Sequence, residues 1–425
     1  MKNLLLIYGV MNLGGIETLI VRMAKAWHDR GVAVTVLLLS RKGDPGLLAE
    51  LSKYSRVVYL SELSPCPSSL FERLSLFGWF SPLFRHRVSE LLNAIDHIHF
   101  FDSFSMLMGF RLLKLARVRK KMTGGVYHQN EYSYPRLRKT YFSSRFFELF
   151  SRVPAEKNVV FFNEISKRTL GSDYQKSFED APLLPIGIDL SKLEMRPLKD
   201  VDRTKVVSIG RITSFKTYNL EFLKTMAGLK QKGLALHYDV YGDGEQLPLL
   251  KSKVREYGLA DAVHLHGSIP YSKFVDAVRP GLVFIGSGTA LIEAAACGVP
   301  ALIGIESQED DRTYGFLHEM PGLSYHEKGL PVQTRPYGEC VEWLASLDEE
   351  QYADICGRSR EKAFEFSIDI FVNRFLQADR EAELVSAPSS GFGLPRFLAS
   401  MILDRALDRH RGKTGFWKRY DLVRN

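Results

Sequence analysis

Apolar residues are spaced with two alternating periods along the first half of the chain. Residues 2–10 carry a nearly unbroken run, Leu4-Leu5-Leu6-Ile7-Tyr8-Gly9-Val10, as a strand covered on both faces requires. A glycine-rich turn follows, Asn12-Leu13-Gly14-Gly15. Leu19, Ile20, Met23, Ala24 and Trp27 then recur at helical spacing, which predicts a helix over 16–30 ended by Gly31. A second apolar strand is predicted over 32–39, completing a βαβ unit of the kind that builds parallel sheets. The alternation continues with strands over 97–101, 123–128 and 158–163 and a helix over 105–117. Residues 61–92 break the rhythm; rich in Leu, Phe, Pro and Ser and holding Trp79, they predict an insertion of short helices.

The second half repeats the pattern. Strands are expected over 205–210, 235–241, 263–265, 282–285 and 300–303, a helix over 219–231, another ending over 254–258, and a third with Glu293 to Cys297 early in it. The polar, proline-containing stretch 196–203 is the natural linker. The fold class is therefore α/β: two doubly wound, Rossmann-like domains in tandem, 1–195 and 196–370, with ligand expected in the cleft between their strand ends. Residues 371–384 have helical spacing, and 371–425 form a separate C-terminal segment.

Composition narrows the class. A chain of 425 residues, 45% hydrophobic, suits two domains with sizeable cores. Cys66, Cys297, Cys340 and Cys356 are scattered without zinc-ligand or CxxC spacing, which fits a reducing compartment. The N-terminal apolar run is short and lacks a small-residue cleavage site, so it reads as a first strand and not as a signal peptide. No stretch reaches the roughly 20 apolar residues needed to span a bilayer. The net charge is +8, concentrated over 111–121, over 136–152 and after Arg396, and interleaved with aromatic and aliphatic residues. With no nucleic-acid module recognisable, that mixture favours an anionic membrane surface over nucleic acid; solvated helix faces are the competing reading.

Several residues invite chemistry. Gly14 and Gly15 open a helix directly after a strand, where backbone N–H groups and the helix dipole can face a phosphate; a plain tight turn is the alternative. The full G-x-G-x-x-G fingerprint is absent, which counts against a nicotinamide or flavin enzyme. Arg211 follows a predicted strand and Lys216 comes five residues later. Both would project from the carboxyl end of the sheet, able to clamp a diphosphate and stabilise it as a leaving group without a metal. An exposed basic loop is the alternative. Gly286-Ser287-Gly288-Thr289 forms a second anion-friendly turn, and Glu293 could accept hydrogen bonds from a ribose, or serve the helix dipole as a first-turn acid. His128 is expected at a strand end, where it could meet a sugar, although a lone histidine is often structural.

These residues together resemble glycosyltransferase family 4, with the two-domain fold called GT-B. Gly14-Gly15-Ile16-Glu17-Thr18 is similar to that family's first loop and helix. Ser208-Ile209-Gly210-Arg211 followed by Lys216 resembles its strand, arginine and lysine, and Tyr241-Gly242-Asp243-Gly244 its GDG turn. Leu265-His266-Gly267 resembles the strand and glycine near the nucleotide base, Glu293-Ala294 through Gly298-Val299-Pro300 its EA…GxP segment, and Ile186-Gly187-Ile188-Asp189 its NGID. The resemblance spans residues 1–385 and is strongest over 206–302. It implies that Arg211 and Lys216 hold the donor diphosphate and that Glu293 binds the ribose. It also implies that Gly15 touches phosphate or sugar and that His128 meets the donor sugar at the reacting face. The first domain would take the acceptor side, and the last helix would cross back to it. Members retain anomeric configuration and need no metal. The expected substrates are a UDP- or GDP-sugar and a glycan or lipid-linked acceptor, with a role in bacterial surface polysaccharide or lipopolysaccharide synthesis at the inner face of the cell membrane.

One departure stands out. The family carries two glutamates eight positions apart, and counting back from Glu293 reaches Ile285. A backbone amide in its place, a different donor, or lost activity would each account for that, so a nucleotide-sugar epimerase of the same fold and a non-catalytic relative stay open beside the transferase. Past 388, Leu398, Met401, Ile402, Leu403, Ala406 and Leu407 form one apolar face, followed by a basic, aromatic run to Tyr420. That is the pattern of an interfacial helix or of a helix packed on its own protein.

Overall fold

The computed structural model describes residues 1–12, 14–73, 78–127, 132, 140–153, 155–388 and 394–411. The chain divides into two compact units, Met1–Gly187 with Ile368–Asn425, and Ile188–Ser367.

The first unit is built on strands β1 (Asn3–Tyr8), β2 (Ala33–Leu38), β3 (Arg56–Tyr59), β4 (His97–Phe100), β5 (Lys120–Val126) and β6 (Val159–Phe161). They pair in parallel in the order β3-β2-β1-β4-β5-β6. The short strand Leu384–Val385 runs antiparallel against the start of β5. Apolar side chains above and below the sheet form two cores. Leu5, Ile7, Ile98 and Phe100 point to one; Leu4, Leu6, Val34 and Val36 point to the other. The continuous apolar strands are thus explained by helices on both faces. The expected helix over 16–30 is the helix Gly15–His28, and that over 105–117 is Ser103–Ala116, which starts at an Asp102 cap whose carboxylate accepts from the Ser105 amide at 2.8 Å. The insertion does consist of short helices, Ser68–Arg73 and Arg85–Asn93 with a 3-10 turn Leu60–Leu63. Trp79 and Phe80 within it are core residues.

The second unit has a five-stranded parallel sheet of β7 (Asp202–Ile209), β8 (His237–Tyr241), β9 (Val263–Gly267), β10 (Gly281–Gly286) and β11 (Ala301–Ile303), ordered β11-β10-β7-β8-β9. In each sheet the first strand lies between its second and its fourth, so the strand order reverses beside β1 and beside β7. α/β proteins bind ligands at such a switch point, outside the carboxyl ends of the strands.

The boundaries differ from the sequence expectation. The units part at Gly187 and Ile188, and again at Ser367 and Ile368, where Ile188 donates its amide to the Phe366 carbonyl at 2.9 Å. Residues 196–203 are no linker. Arg196 is buried in the second unit, bonded to the carbonyls of Gly298 and Arg279 and to the Tyr352 hydroxyl. A polar side chain that satisfies buried carbonyls reads as a linker residue in sequence alone. The helix Ile368–Glu381 belongs to the first unit, as the crossing-back expectation required, and packs Phe371 and Phe375 into the core that holds Trp27.

Candidate functional site

At the carboxyl end of β7 the chain passes through Gly210 into a loop carrying Arg211 and Lys216, then enters the helix Tyr218–Gln231. The loop is threaded onto the end of β8. Gly210 donates its amide to the Tyr241 carbonyl at 2.9 Å, Ile212 to Asp243 at 2.9 Å, and Gly242 to Gly267 at 2.8 Å. A side chain at Gly242 would place its Cβ 1.9 Å from the Gly210 carbonyl oxygen, and one at Gly244 would lie 2.3 Å from that of Ile212. The Tyr-Gly-Asp-Gly segment is therefore glycine-rich so that backbone can lie on backbone and fix the arginine loop.

Arg211 is exposed and Lys216 half-buried, and neither cationic head has a hydrogen bond or ion pair to another described residue. Burial pushes the Lys216 ammonium below its ordinary value; Glu306 opposes this and the neighbouring Arg211 adds to it. Two adjacent cations without partners, one partly desolvated, form a site that an anion would stabilise.

β10 lies next to β7, pairing Val283 with Val206 and Phe284 with Val207. It leads into Gly286-Ser287-Gly288 and the helix Thr289–Ala296. That helix has neither a side-chain cap nor an acid in its first turn, leaving its first amides and the positive end of its dipole available. Arg211 and Lys216 after β7, with Ser287, Gly288 and Thr289 after β10, thus flank the switch point together. Glu293 is the fifth helical residue, so it is not a first-turn acid; it is buried and accepts from the Tyr271 hydroxyl at 3.0 Å. Gly267 ends β9 at φ +73°.

Ile285 is wholly buried in the hydrophobic core. A carboxylate reaches the turn after β10 from elsewhere: Glu306 accepts from Ser287 Oγ at 2.8 Å, and its backbone amide is held by the His326 carbonyl. Nothing in the sequence pattern marked Glu306, because it arrives from a loop beyond β11.

In the first unit, Gly14 caps the helix Gly15–His28 at β1's carboxyl end. The Glu17 carboxylate folds back over Gly14 and accepts from Tyr8 at 3.1 Å, so this helix start already faces a negative charge from its own first turn. Space around Gly15 is open. β5 ends at Val126 and not at residue 128; His128 lies outside the described residues.

Two parallel sheets of this order in tandem, each with loops at its switch point, constitute the GT-B architecture. Residues 13–192 match the family described as Glycosyltransferase Family 4, and residues 192–306 match Glycosyl transferases group 1. The chain belongs to the family 4 type of GT-B glycosyltransferase. The Escherichia coli (strain K12) glycosyltransferase WcaL, named for colanic acid biosynthesis, is 24% identical over 194 residues, or 42% of this chain and 45% of that protein. The match therefore spans less than half of that curated relative's length. Anabaena HepE, solved with UDP and glucose, aligns with a TM-score of 0.58 at 15% identity, over 89% of this chain and 99% of its own. The lipopolysaccharide outer core galactosyltransferase WaaB aligns at 0.59 and 14% identity, over 89% and 99%. A glycosyltransferase of Rickettsia africae ESF-5 aligns at 0.62 and 15% identity, over 89% and 98%. At such identities these structures share the fold.

Proposed function

We propose that this chain moves a sugar, with retention, from a nucleoside-diphosphate sugar to a glycan or lipid-linked acceptor in bacterial surface polysaccharide or lipopolysaccharide synthesis. The observation that carries the reading is the pair Arg211 and Lys216, unpartnered beside β7, together with the helix start after β10, whose own first turn holds no acid. These groups would hold a donor diphosphate and stabilise it as it leaves, so transfer needs no metal cofactor. Glu293 would take the ribose, and Gly15 and His128 would serve the sugar, as family 4 resemblance implies. A uridine donor accords with the UDP and glucose in Anabaena HepE, and a guanosine donor remains within the same chemistry. The setting accords with the names of WcaL and WaaB.

An anionic membrane surface is the proposed location. Among the described residues no helix is long and apolar enough to cross a membrane. Leu83, Arg85, Phe110, Arg111, Lys114 and Arg117 line a cavity of about 500 Å³ whose lining includes no acid, a combination suited to an anionic amphiphile.

Incubation with a panel of UDP- and GDP-sugars and a lipid-linked acceptor extract, followed by mass spectrometry and product NMR, tests the activity. An α- or β-linked product matching the donor's anomer, formed equally in EDTA, is expected. Conversion of the donor without acceptor would identify an epimerase, and an untouched donor would identify a non-catalytic relative. Loss in EDTA with recovery in Mg²⁺ or Mn²⁺ would overturn metal independence.

A further inference from the structure

Three loops of the second unit are laced together around one carboxylate. Past β11 the Gly304 amide donates to the Gly286 carbonyl at 2.7 Å, and the Ser307 amide donates to the Phe215 carbonyl at 2.7 Å. Gly286 belongs to the turn after β10, and Phe215 to the loop that carries Lys216. Gly304 lies so close to Tyr218 that a Cβ there would come within 2.5 Å of the ring. Ser307 takes φ +59°, a left-handed conformation that a serine keeps only where its surroundings impose it. The Lys328 ammonium donates to the Ser307 carbonyl at 3.1 Å. Glu306 stands between these ties, so its backbone is fixed against both the turn after β10 and the loop of Lys216.

The side chain is anchored at one oxygen only. Ser287 Oγ donates to Glu306 Oε1 at 2.8 Å. Ser287 is buried, whereas the Glu306 side chain is 27% exposed. Oε2 accepts no hydrogen bond from any described residue. His326 Nε2 stands 3.9 Å from it, beyond hydrogen-bonding reach. Oε2 is not among the buried polar atoms that lack a partner, so it meets solvent. Glu306 is also close enough to Lys216 to oppose the effect of burial on that ammonium. An open acceptor thus lies beside the cations and the helix start proposed to hold a diphosphate.

A carboxylate is the wrong group for a site that takes phosphate alone, because it repels an anion at short range. An unanchored one could turn away into solvent; this one is held by Ser287 and by the backbone on either side. The arrangement suits a ligand of two parts: an anionic part for Arg211 and Lys216, and a neutral part bearing hydroxyl protons for Oε2. An ionised carboxylate only accepts, and hydrogen bonds to a charged group are the stronger kind. A second carboxylate brought to the same place would offer no proton and meet like charge. In the reading above the ribose hydroxyls already have Glu293, which leaves the sugar on the other side of the diphosphate.

We propose that Glu306 is a specificity residue for the transferred sugar: Oε2 accepts from one of its hydroxyls, and the fixed negative charge disfavours donors whose sugar is a uronate. The role rests on the sugar-transfer reading above and gives that site its substrate class, a neutral, hydroxyl-bearing sugar.

Calorimetric titration of the full chain with three probes tests this. The first is the bare nucleoside diphosphate, UDP or GDP. The second is whichever of UDP-glucose, UDP-galactose and GDP-mannose binds the unaltered protein most tightly. The third is the uronate donor of the same nucleotide, UDP-glucuronate or GDP-mannuronate. Glu306→Gln can still accept from Ser287. It should bind the bare nucleotide as the unaltered protein does or more tightly, the neutral donor about tenfold more weakly, and the uronate donor several-fold more tightly. Glu306→Asp, which keeps the charge but withdraws it by one methylene, should weaken the neutral donor without admitting the uronate. Equal losses for bare nucleotide and neutral donor in Glu306→Gln would reduce Glu306 to a support of the turn, and unchanged affinity for all three probes would mean that it faces no ligand; either result overturns the proposal. A uronate donor bound more tightly than the neutral one by the unaltered protein would overturn the exclusion. Failure of every UDP and GDP probe to bind the unaltered protein would instead overturn the transferase reading, and the role of Glu306 with it.

Discussion

At the scale of single residues, the cations at the end of β7 carry the strongest functional consequence. Arg211 is exposed and neither it nor Lys216 is bonded to another described side chain, so replacing them should leave the fold intact. Arg211→Ala and Lys216→Ala are each expected to lower kcat/KM by about 10²-fold or more, the usual effect of removing a preorganised charge contact, with the far-ultraviolet spectrum and urea midpoint unchanged. Near-normal turnover in both would remove the diphosphate clamp. Both residues were legible in the sequence because they follow a strand at a fixed interval. Glu306 was not: it owes its position to a neighbour from another loop, Ser287 at 2.8 Å.

At the scale of elements, the helix Ile368–Glu381 is the piece on which the first unit most depends. Phe375 is buried and meets Trp27 edge-on at 5.6 Å as well as His97 and His99 of β4. Phe375→Ala is expected to destabilise the first unit by about 3–5 kcal/mol, a transfer loss plus an unfilled cavity, read as a lowered urea midpoint in tryptophan fluorescence. A loss below about 1 kcal/mol would mean that the helix is not docked as described. The helix itself was visible from its spacing. Its partner was not, because an amphipathic stripe announces that it is covered without saying by what. The helix Leu394–Arg411 makes the same point. Its supposed interfacial face is divided: Phe397 and Met401 are buried with Phe142 and Phe146, while Ile402 and Leu403 remain exposed at 66% and 58%.

At the scale of the whole molecule, that division changes how membrane attachment should be tested. Trp79 and Phe80 of the insertion and Phe397 of the terminal helix belong to the core, so deleting residues 396–425 would damage the fold. Point changes separate the effects. Sedimentation with phosphatidylglycerol vesicles at low salt should pull the protein down, and with phosphatidylcholine vesicles should not. Joint replacement of Arg85, Lys114 and Arg117 by Gln should weaken the effect, since each basic residue near an anionic surface contributes about 1 kcal/mol. Ile402→Ser with Leu403→Ser should weaken it further by removing exposed apolar area. Equal recovery in the supernatant with both lipids would overturn the membrane proposal.

The sequence by itself determined the layered α/β class, the tandem of two units and the loops that hold Arg211, Lys216 and the glycine-rich turns. Those features are local: apolar period, turn glycines and strand-end chemistry are written within a few residues of each other. Only the tertiary structure decided that 196–203 is built into the second unit, that Glu306 brings a carboxylate to Ser287, and that His97 of β4 meets Asp379 of a distant helix. Sequence pattern records how much of a side chain is covered; which partner covers it is set by how the elements pack, and at 282 positions' separation His97 and Asp379 meet only once the sheet and its last helix have formed.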